Sequence, residues 1–567
     1  SSVHRANLAA ALFERLEMPL FVVCPDEASA DSFARDLEAM TDVKPTVLYS
    51  RDFTFYPTLA ASRQVEQQRI AALHALSCGE SKITVATVSA LLQRTLPTEK
   101  LRSAAFEITD GGEYPPEEIE RALICCGYER CEQVEGAGQY ARRGGILDFF
   151  SPMYPEPVRI EFWGDDIDSM GFFDVHTQRR TEAVEHCVVL PAAEALVSLA
   201  DGGAEGVSAK LIAMADRCAR HKTSQQLKEL EQTLRGDAER IANDIKLEDL
   251  DRYLPVLYAP AYGMDYIPDD CFVLFDQPPR CADRARGFNK QLGEDISALS
   301  KKGMLAVTAE SFRATFDELC RKMSDYPVYM ADAFTVGRYP LEPKTLCSIP
   351  AKQLPSYAGS VKTAADDVSL YLKQGYRVVV LAGDERRAQV LQDFFKDNGI
   401  RALVYSELTK MPECGECYIS VGAMSAGIEY PGIKLAIITD AQLIRVREHR
   451  SGRKKKAPTN RERINSYADL APGDYVVHEV HGIGRFAGIH KMKVDGFEKD
   501  YIKICYAGTD TLYVPATQLD MVTKYLGAGE EHKVKLSKMG GAEWTKTRSR
   551  AKAATKKLAK ELIALYA

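Results

Sequence analysis

Nucleotide hydrolysis would need a phosphate-binding loop and an acidic pair, and the sequence does not combine the two. The phosphate-loop pattern G-x-x-x-x-G-K-[ST] occurs nowhere in the sequence, so no backbone cradle with its lysine and magnesium-binding hydroxyl is expected. The acidic pair that activates water would follow a buried strand, and the nearest match is Phe275-Asp276-Gln277. Because the amide of Gln277 cannot take a proton from water at neutral pH, we expect no ATP hydrolysis and no catalytic residues in this chain.

Cysteine and histidine residues suggest a metal at two places, and neither is convincing. Cys414 and Cys417 form the one Cys-x-x-Cys pair of the sequence, but a zinc site would need a second pair of ligands nearby. His478 and His481 have no suitably spaced cysteine or acid either. We therefore interpret these residues as ordinary thiols and structural histidines, and we predict no metal site.

Two arginines at strand positions could serve recognition. Arg143 and Arg159 lie in apolar, strand-like segments, and a guanidinium fork suits the carboxylates of an acidic partner surface. The alternative is that they bridge neighbouring acids such as Asp148 and Glu161. Trp163 follows closely, and broken alternation around it leaves open whether it lies in the core or at the surface.

These residues must be positioned by an α/β scaffold. Short apolar runs at 19–25, 45–50 and 82–88 predict buried strands, and helical spacing at 28–40 and 66–76 predicts helices between them. Strands that alternate with helices indicate a parallel sheet. The fold class that we expect is a multidomain α/β protein.

Changes of pattern along the chain predict several domains. Residues 271–277 return to the style of the first strands, after a mainly helical stretch at 204–250. The predicted divisions are an α/β domain at 1–105, an α+β module at 106–190, a continuation of the first domain at 191–330, a small α/β domain at 336–444, a basic exposed linker at 445–468, a small β-barrel at 469–535 and a basic helix at 541–567.

Composition places the chain among multidomain globular proteins. Its 567 residues are 46% apolar and 27% charged, and no run of 18 uncharged apolar residues predicts a membrane span. Fourteen scattered cysteines without a signal peptide favour the cytoplasm. Residues 445–567 hold 25 Lys and Arg but 14 Asp and Glu, whereas the whole chain has a net charge of −7. This asymmetry favours different partners at the two ends.

Several stretches of the first half resemble the excision-repair protein UvrB. Residues 22–39 and 66–92 are similar to its first helicase-like (RecA-like) lobe, and residues 139–152 with 157–174 resemble its UvrA-binding domain. The resemblance implies that Arg143, Arg159 and Trp163 contact UvrA. The Walker lysine, the Asp-Glu pair and the long hairpin with which UvrB clamps DNA are missing, so the helicase-like lobe is expected to be degenerate.

The C-terminal part resembles a polymerase-binding domain. Residues 473–492 and 500–527 look like the Tudor/SH3-like RNA polymerase-interacting domain that coupling factors share with the CarD regulators. The resemblance implies that the β subunit of RNA polymerase adds a strand here. The glycines of this pattern predict bulges or tight bends, and Met492 could otherwise be an edge of the barrel core. The pattern rests on His478, His481, Gly482, Gly484, Gly488, Tyr513, Val514 and Pro515, and the contacts it implies are Ile489, Lys491, Met492 and Lys493.

Together, these features are similar to the bacterial transcription-repair coupling factors (Mfd). The resemblance implies an adaptor that binds RNA polymerase and UvrA as a monomer, without a membrane and without a cofactor in this chain. A motor using ATP and magnesium, and making most contacts to double-stranded DNA, is expected to follow Ala567. The alternatives are a UvrB-like DNA-loading ATPase and a CarD-like transcription regulator with an unrelated extension.

Overall fold

The computed structural model divides the described chain into two compact units, one containing the described residues up to 443 apart from Gln64, the other those from 461 onward. The basic helix expected at 541–567 and most of the linker lie outside the described residues. The residues described are 2–55, 64–175, 177–220, 225–305, 307–333, 339–354, 357, 361–406, 408, 410–443, 461–463, 473–478, 481–494, 497–508, 510–515, 522–525 and 536.

Helices and strands follow in this order. The helices are α1 (Ser2–Leu16), α2 (Glu27–Thr41), α3 (Gln64–Ser77), α4 (Val88–Leu92), α5 (Thr98–Ala104), α6 (Pro116–Cys125), α7 (Gly203–Arg220), α8 (Gln225–Ala242), α9 (Leu254–Leu257), α10 (Pro278–Lys301), α11 (Phe316–Met323), α12 (Val361–Lys373), α13 (Glu385–Asp397) and α14 (Asp440–Leu443). The strands are β1 (Leu20–Cys24), β2 (Thr46–Leu48), β3 (Ile83–Thr87), β4 (Phe106–Thr109), β5 (Glu129–Arg130), β6 (Gln139–Arg143), β7 (Ile146–Phe149), β8 (Val158–Trp163), β9 (Asp166–Phe173), β10 (Arg180–Ala183), β11 (His186–Val189), β12 (Phe272–Asp276), β13 (Val328–Ala331), β14 (Lys352–Gln353), β15 (Arg377–Ala382), β16 (Ala402–Tyr405), β17 (Cys417–Val421), β18 (Ile428–Tyr430), β19 (Leu435–Thr439), β20 (Arg461–Arg463), β21 (Tyr475–His478), β22 (Gly482–Val494), β23 (Phe497–Cys505), β24 (Thr511–Pro515) and β25 (Val522–Tyr525).

The predicted parallel sheet is present in the first unit. Five strands pair in the order β13-β12-β1-β3-β2, all of them parallel. Leu20 and Val22 pack with α1 and α2 on one face, and Phe21 and Val23 join the larger core on the other. Since β12 pairs directly with β1, the expectation that residues 271–277 return to the first sheet is confirmed.

Three further sheets lie in the described part of the first unit. The module carries a six-stranded sheet in the order β10-β9-β8-β7-β6-β5, and β4 pairs with β11 beside it. The small α/β domain has a mixed sheet in the order β14-β18-β19-β15-β17-β16. Its predicted start, near Val336, lies outside the described residues. Its edge strand β16 was not predicted from the sequence.

The second unit is built from antiparallel strands. The six described strands pair in the order β20-β25-β21-β22-β23-β24. The linker prediction for 445–468 is wrong at residues 461–463, which form β20 against β25. This run is charged and apolar-poor, but backbone pairing at a sheet edge does not require apolar side chains.

Among the residues that the structure describes, every helix is too short or too polar to cross a membrane.

Candidate partner-binding sites

The module's sheet has two different faces. Leu147, Val158 and Ile160 point to one face, where they pack against Ile119 and Leu123 of helix α6. Since side chains alternate along a strand, the residues between them point to the other face. We call this the open face; it carries Asp148 of β7 and Arg159 of β8, which the register places opposite each other.

Asp148 organises the centre of the open face. It is fully buried, and its carboxylate accepts hydrogen bonds from Arg159 Nε at 2.7 Å and Arg159 Nη2 at 2.9 Å. The backbone carbonyl of Gln178 accepts from Arg159 Nη1 at 3.1 Å, and the guanidinium lies 4.4 Å from the ring centre of Phe173. The hydrogen bonds to Asp148 raise the pKa of Arg159. Arg159 is therefore held on several sides by its own domain.

Arg143 and Trp163 are far more accessible. Arg143 donates from Nη2 to Asp148 Oδ2 at 2.9 Å, and its side chain is 53% exposed. Trp163 is 82% exposed near the end of the β8–β9 hairpin, so its possible place in the core is excluded. Both arginines thus do bridge Asp148, as the alternative interpretation held, whereas no ion pair joins either of them to Glu161 within the described part of the module.

A third arginine, Arg180, lies on this face and was not predicted from the sequence. A side chain at Gly171, which pairs with Arg159, would begin only 2.4 Å from Arg180 Nε. Arg180 therefore lies across Gly171 on the open face. No motif marks it, because its position follows from the β9–β10 pairing and from the missing side chain of Gly171.

Buried charges fix the end of the module to the first domain. Glu194 is fully buried just beyond β11, and its Oε1 lies 2.8 Å from Arg51 Nε and 3.1 Å from Arg69 Nε. Arg51 also donates two hydrogen bonds to Asp251, at 2.7 and 2.8 Å. Breaking such a buried pair is costly, so the module's end is held firmly on the scaffold.

Among the described strands, the β22–β23 hairpin has one backbone edge without a neighbour. Strand β22 pairs with β21 only through residues 482–485, but with β23 as far as Val494. Of the strands that the structure describes, only β23 flanks residues 489–494. A register shift at Phe486 and Gly488 marks a β-bulge, and Gly488 has φ +118°; the predicted role of this glycine is confirmed.

The backbone register of the hairpin is defined along β22 and β23. Position 489 pairs with Ile502, which is buried in the core of this unit, and position 492 pairs with Lys499. The contacts of Ile489, Lys491, Met492 and Lys493 to a polymerase remain a prediction.

His478 and His481 of the second unit lie close together and are held by the protein itself. His478 is buried, and the backbone N–H of His481 donates to its Nδ1 at 3.3 Å. Burial and then the charge of His481 lower the pKa of His478 to about 4. In the described ranges, no group of three His, Cys, Asp or Glu residues is placed to hold a metal ion.

A carboxylate of the chain itself occupies the N-terminus of helix α2, which follows the first strand of the parallel sheet. Helix α2 begins after β1, and its N-cap Asp26 accepts from the backbone N–H of Ser29 at 2.9 Å. Arg280 and Arg284 approach the other oxygen of Asp26, at 2.9 and 3.2 Å. Burial alone would raise the pKa of Asp26, but the Ser29 hydrogen bonds and these arginines lower it overall. An anion site of this kind is filled by the chain itself.

Asp276 and Gln277, at the end of β12, are both held by arginines of the chain. Asp276 is fully buried and paired with Arg5, and burial raises its pKa despite that partner. Gln277 has φ +51°, and its Oε1 accepts from Arg280 Nη1 at 2.6 Å.

Comparisons with known proteins identify two domains. Residues 106–194 match the model of the UvrB interaction domain, and residues 470–526 match that of the CarD-like/TRCF RID domain. The Transcription-repair-coupling factor of Bacillus subtilis (strain 168) is 30% identical to 99% of this chain, and that of Staphylococcus aureus (strain MRSA252) is 27% identical over the same share.

The chain is thus similar along almost its whole length to the transcription-repair-coupling factors. It spans about half the length of these curated relatives, since the match covers 48% of each. Within this chain, Arg143, Arg159 and Trp163 lie inside the match to the UvrB interaction domain, and residues 489–493 lie inside the match to the CarD-like domain. The contact residues predicted from the sequence therefore lie inside the two domains that the family models match.

Proposed function

We propose that this chain is an adaptor that recruits UvrA to RNA polymerase. The observation that carries the proposal is the presence of a UvrB interaction domain and a CarD-like domain in one chain, in two separate compact units. Independent units can bind two large proteins at the same time. In this account binding is the function of the chain, and it carries no chemistry of its own.

UvrA binds the open face of the module in this proposal. Trp163 offers a large exposed apolar surface, and exposed aromatic and arginine side chains dominate binding energy in many interfaces. Within the described residues, Arg143 makes one hydrogen bond, to Asp148, and more than half of its side chain is exposed, so it can donate to a partner. Arg159 supports this face through its hydrogen bonds to the buried Asp148.

RNA polymerase binds the hairpin edge in this proposal. A strand with one unpaired edge can accept another strand, and the backbone hydrogen bonds then fix the register. Met492 supplies an apolar anchor, and Lys491 and Lys493 attract acidic side chains. Ile489 belongs to the same strand, and we propose that it also contacts the partner. The partner we propose is the β subunit.

Nucleotide chemistry belongs elsewhere in this account. Asp26 with its two arginines supports the expectation that the degenerate, helicase-like sheet binds no nucleotide. We propose that ATP, magnesium and most contacts to double-stranded DNA belong to the half of the relatives' length that this chain does not cover. We also propose that the second unit is a Tudor/SH3-like barrel and that the chain acts as a monomer.

Binding of UvrA to the intact chain tests the first half of the proposal. Trp163→Ala should weaken binding at least tenfold, because a central aromatic anchor typically contributes about 2 kcal/mol or more. Exposed Leu346, which lies outside the module, provides a matched control as Leu346→Ala. A folded Trp163→Ala variant with unchanged affinity would place the UvrA contact on another surface.

A further inference from the structure

The three arginines of the open face differ in their exposure and in the hydrogen bonds that they already make within the domain. Arg159 donates hydrogen bonds to Asp148 and Gln178, and its guanidinium stacks on the ring of Phe173. Its side chain is only 17% exposed. A partner carboxylate could reach this guanidinium only by displacing bonds that hold the domain together. Arg159 is thus a positioning residue for this surface.

Arg180 is in the opposite situation. It is exposed, and its guanidinium donates from Nη1 to the hydroxyl of Ser169 at 3.1 Å. No carboxylate within ion-pair distance of Arg180 is found among the described residues. A neutral acceptor holds the side chain in place without neutralising it, so the charge remains available to a partner.

The missing side chain of Gly171 leaves the space that the Arg180 side chain occupies. A Cβ at Gly171 would stand 2.4 Å from Arg180 Nε and 2.5 Å from the carbonyl oxygen of Glu182. Only glycine lets the Arg180 side chain lie flat across β9 toward Ser169. Pre-positioning a flexible arginine lowers the entropy that binding must otherwise remove.

We infer that Arg180 is a contact residue of the UvrA-binding surface and receives a carboxylate of the partner. The inference rests on the proposed function of the open face, and it assigns the second cationic contact to Arg180 rather than to Arg159. The surface then consists of Trp163 as the apolar anchor with Arg143 and Arg180 as its two cations. A planar guanidinium with free donors recognises a carboxylate bidentately.

The test is the affinity of purified UvrA for the intact chain at moderate salt. Arg180→Ala should weaken binding by about 10-fold or more, as expected for a lost charge-assisted contact. Arg121→Ala is the matched control, since it removes an exposed arginine from helix α6, on the other face of the sheet. We expect its affinity to stay within twofold of the original.

Two further variants keep the result decisive. Arg180→Lys retains the charge but loses the fork, so a clear loss of affinity in this variant supports the inference even if Arg180→Ala disturbs β10. If Arg180→Ala and Arg180→Lys both bind as the original does while Trp163→Ala does not, the inference is overturned and the proposed function stands. If the original chain does not bind UvrA, the proposed function falls and the inference with it.

Discussion

Arg159 and Asp148 lie directly opposite each other on β8 and β7, and two hydrogen bonds, at 2.7 and 2.9 Å, join the guanidinium to the fully buried carboxylate. This pair belongs to the interior of the module as much as to its surface. An effect of Arg159 on partner binding would therefore reach the partner through the fold.

Replacing Arg159 should destabilise the module. Arg159→Ala leaves the buried Asp148 with only the half-exposed Arg143 as a cationic partner, and breaking a buried pair typically costs about 3 kcal/mol. Hydrogen exchange of the β7 and β8 amides should show a correspondingly lower opening free energy. Arg143→Ala should cost less than about 1 kcal/mol, because that arginine is largely solvated. Equal stability of the two variants would contradict this assignment of roles.

The chain should not turn over ATP, with or without DNA. Asp26 fills the helix N-terminus that phosphates would need, and Asp276 is buried beneath Arg5. Gln277→Glu should remain inactive too, because an added carboxylate supplies neither a phosphate loop nor a lysine. Phosphate release above a matched blank preparation, abolished by a substitution at Asp276, would contradict this expectation.

The stability of the second unit should decrease in mild acid. Burial, together with the charge of His481, lowers the pKa of His478 to about 4 in the folded chain, whereas an unfolded histidine titrates near its ordinary value of 6.5. Between these values the unfolded state binds the additional proton, so stability falls as the pH drops from about 6.5 toward 4. Hydrogen exchange of the β21 and β22 amides at pH 7 and 4.5 measures it, and His478→Gln should flatten the dependence. An equally steep dependence in that variant would assign it to other groups.

The polymerase contact should respond to one hairpin residue. Met492→Arg places a charge at the strand position that pairs with Lys499, and a docking partner would force that charge out of water. We expect loss of RNA polymerase binding, a stability change under about 0.5 kcal/mol and unchanged UvrA binding. Tyr513, which is exposed on the neighbouring strand β24, offers a control as Tyr513→Phe. Unfolding of the second unit by Met492→Arg would mean that this residue belongs to the core.

Local patterns predicted the elements well where burial is regular. The runs around Val22, Val85 and Leu274 were recognised as strands because apolar residues predominate in them, as is typical of a strand covered on both faces, and every residue of β1, β3 and β12 is indeed buried. Edge strand β16, with Leu403 and Val404 partly exposed, was missed because half-exposed short strands have a weak pattern.

Contacts between distant residues could not be read from the sequence. The sequence suggested Asp148 as one possible partner of the arginines, but only the register shows that both of them meet it. Arg180 and Gly171 carry no motif, since their relationship depends on strand pairing and on a missing side chain. Arg280 and Arg284 are about 250 residues from Asp26 along the chain, and only the fold brings them together.

A bridging experiment tests the central claim most directly. Immobilised RNA polymerase should retain UvrA when this chain is added and should not retain it otherwise. Met492→Arg should abolish retention while its direct binding to UvrA persists, and Trp163→Ala should abolish it while its binding to polymerase persists. Retention of UvrA that is unaffected by either variant, or mutually exclusive binding of the two partners, would contradict the proposal that the chain is an adaptor.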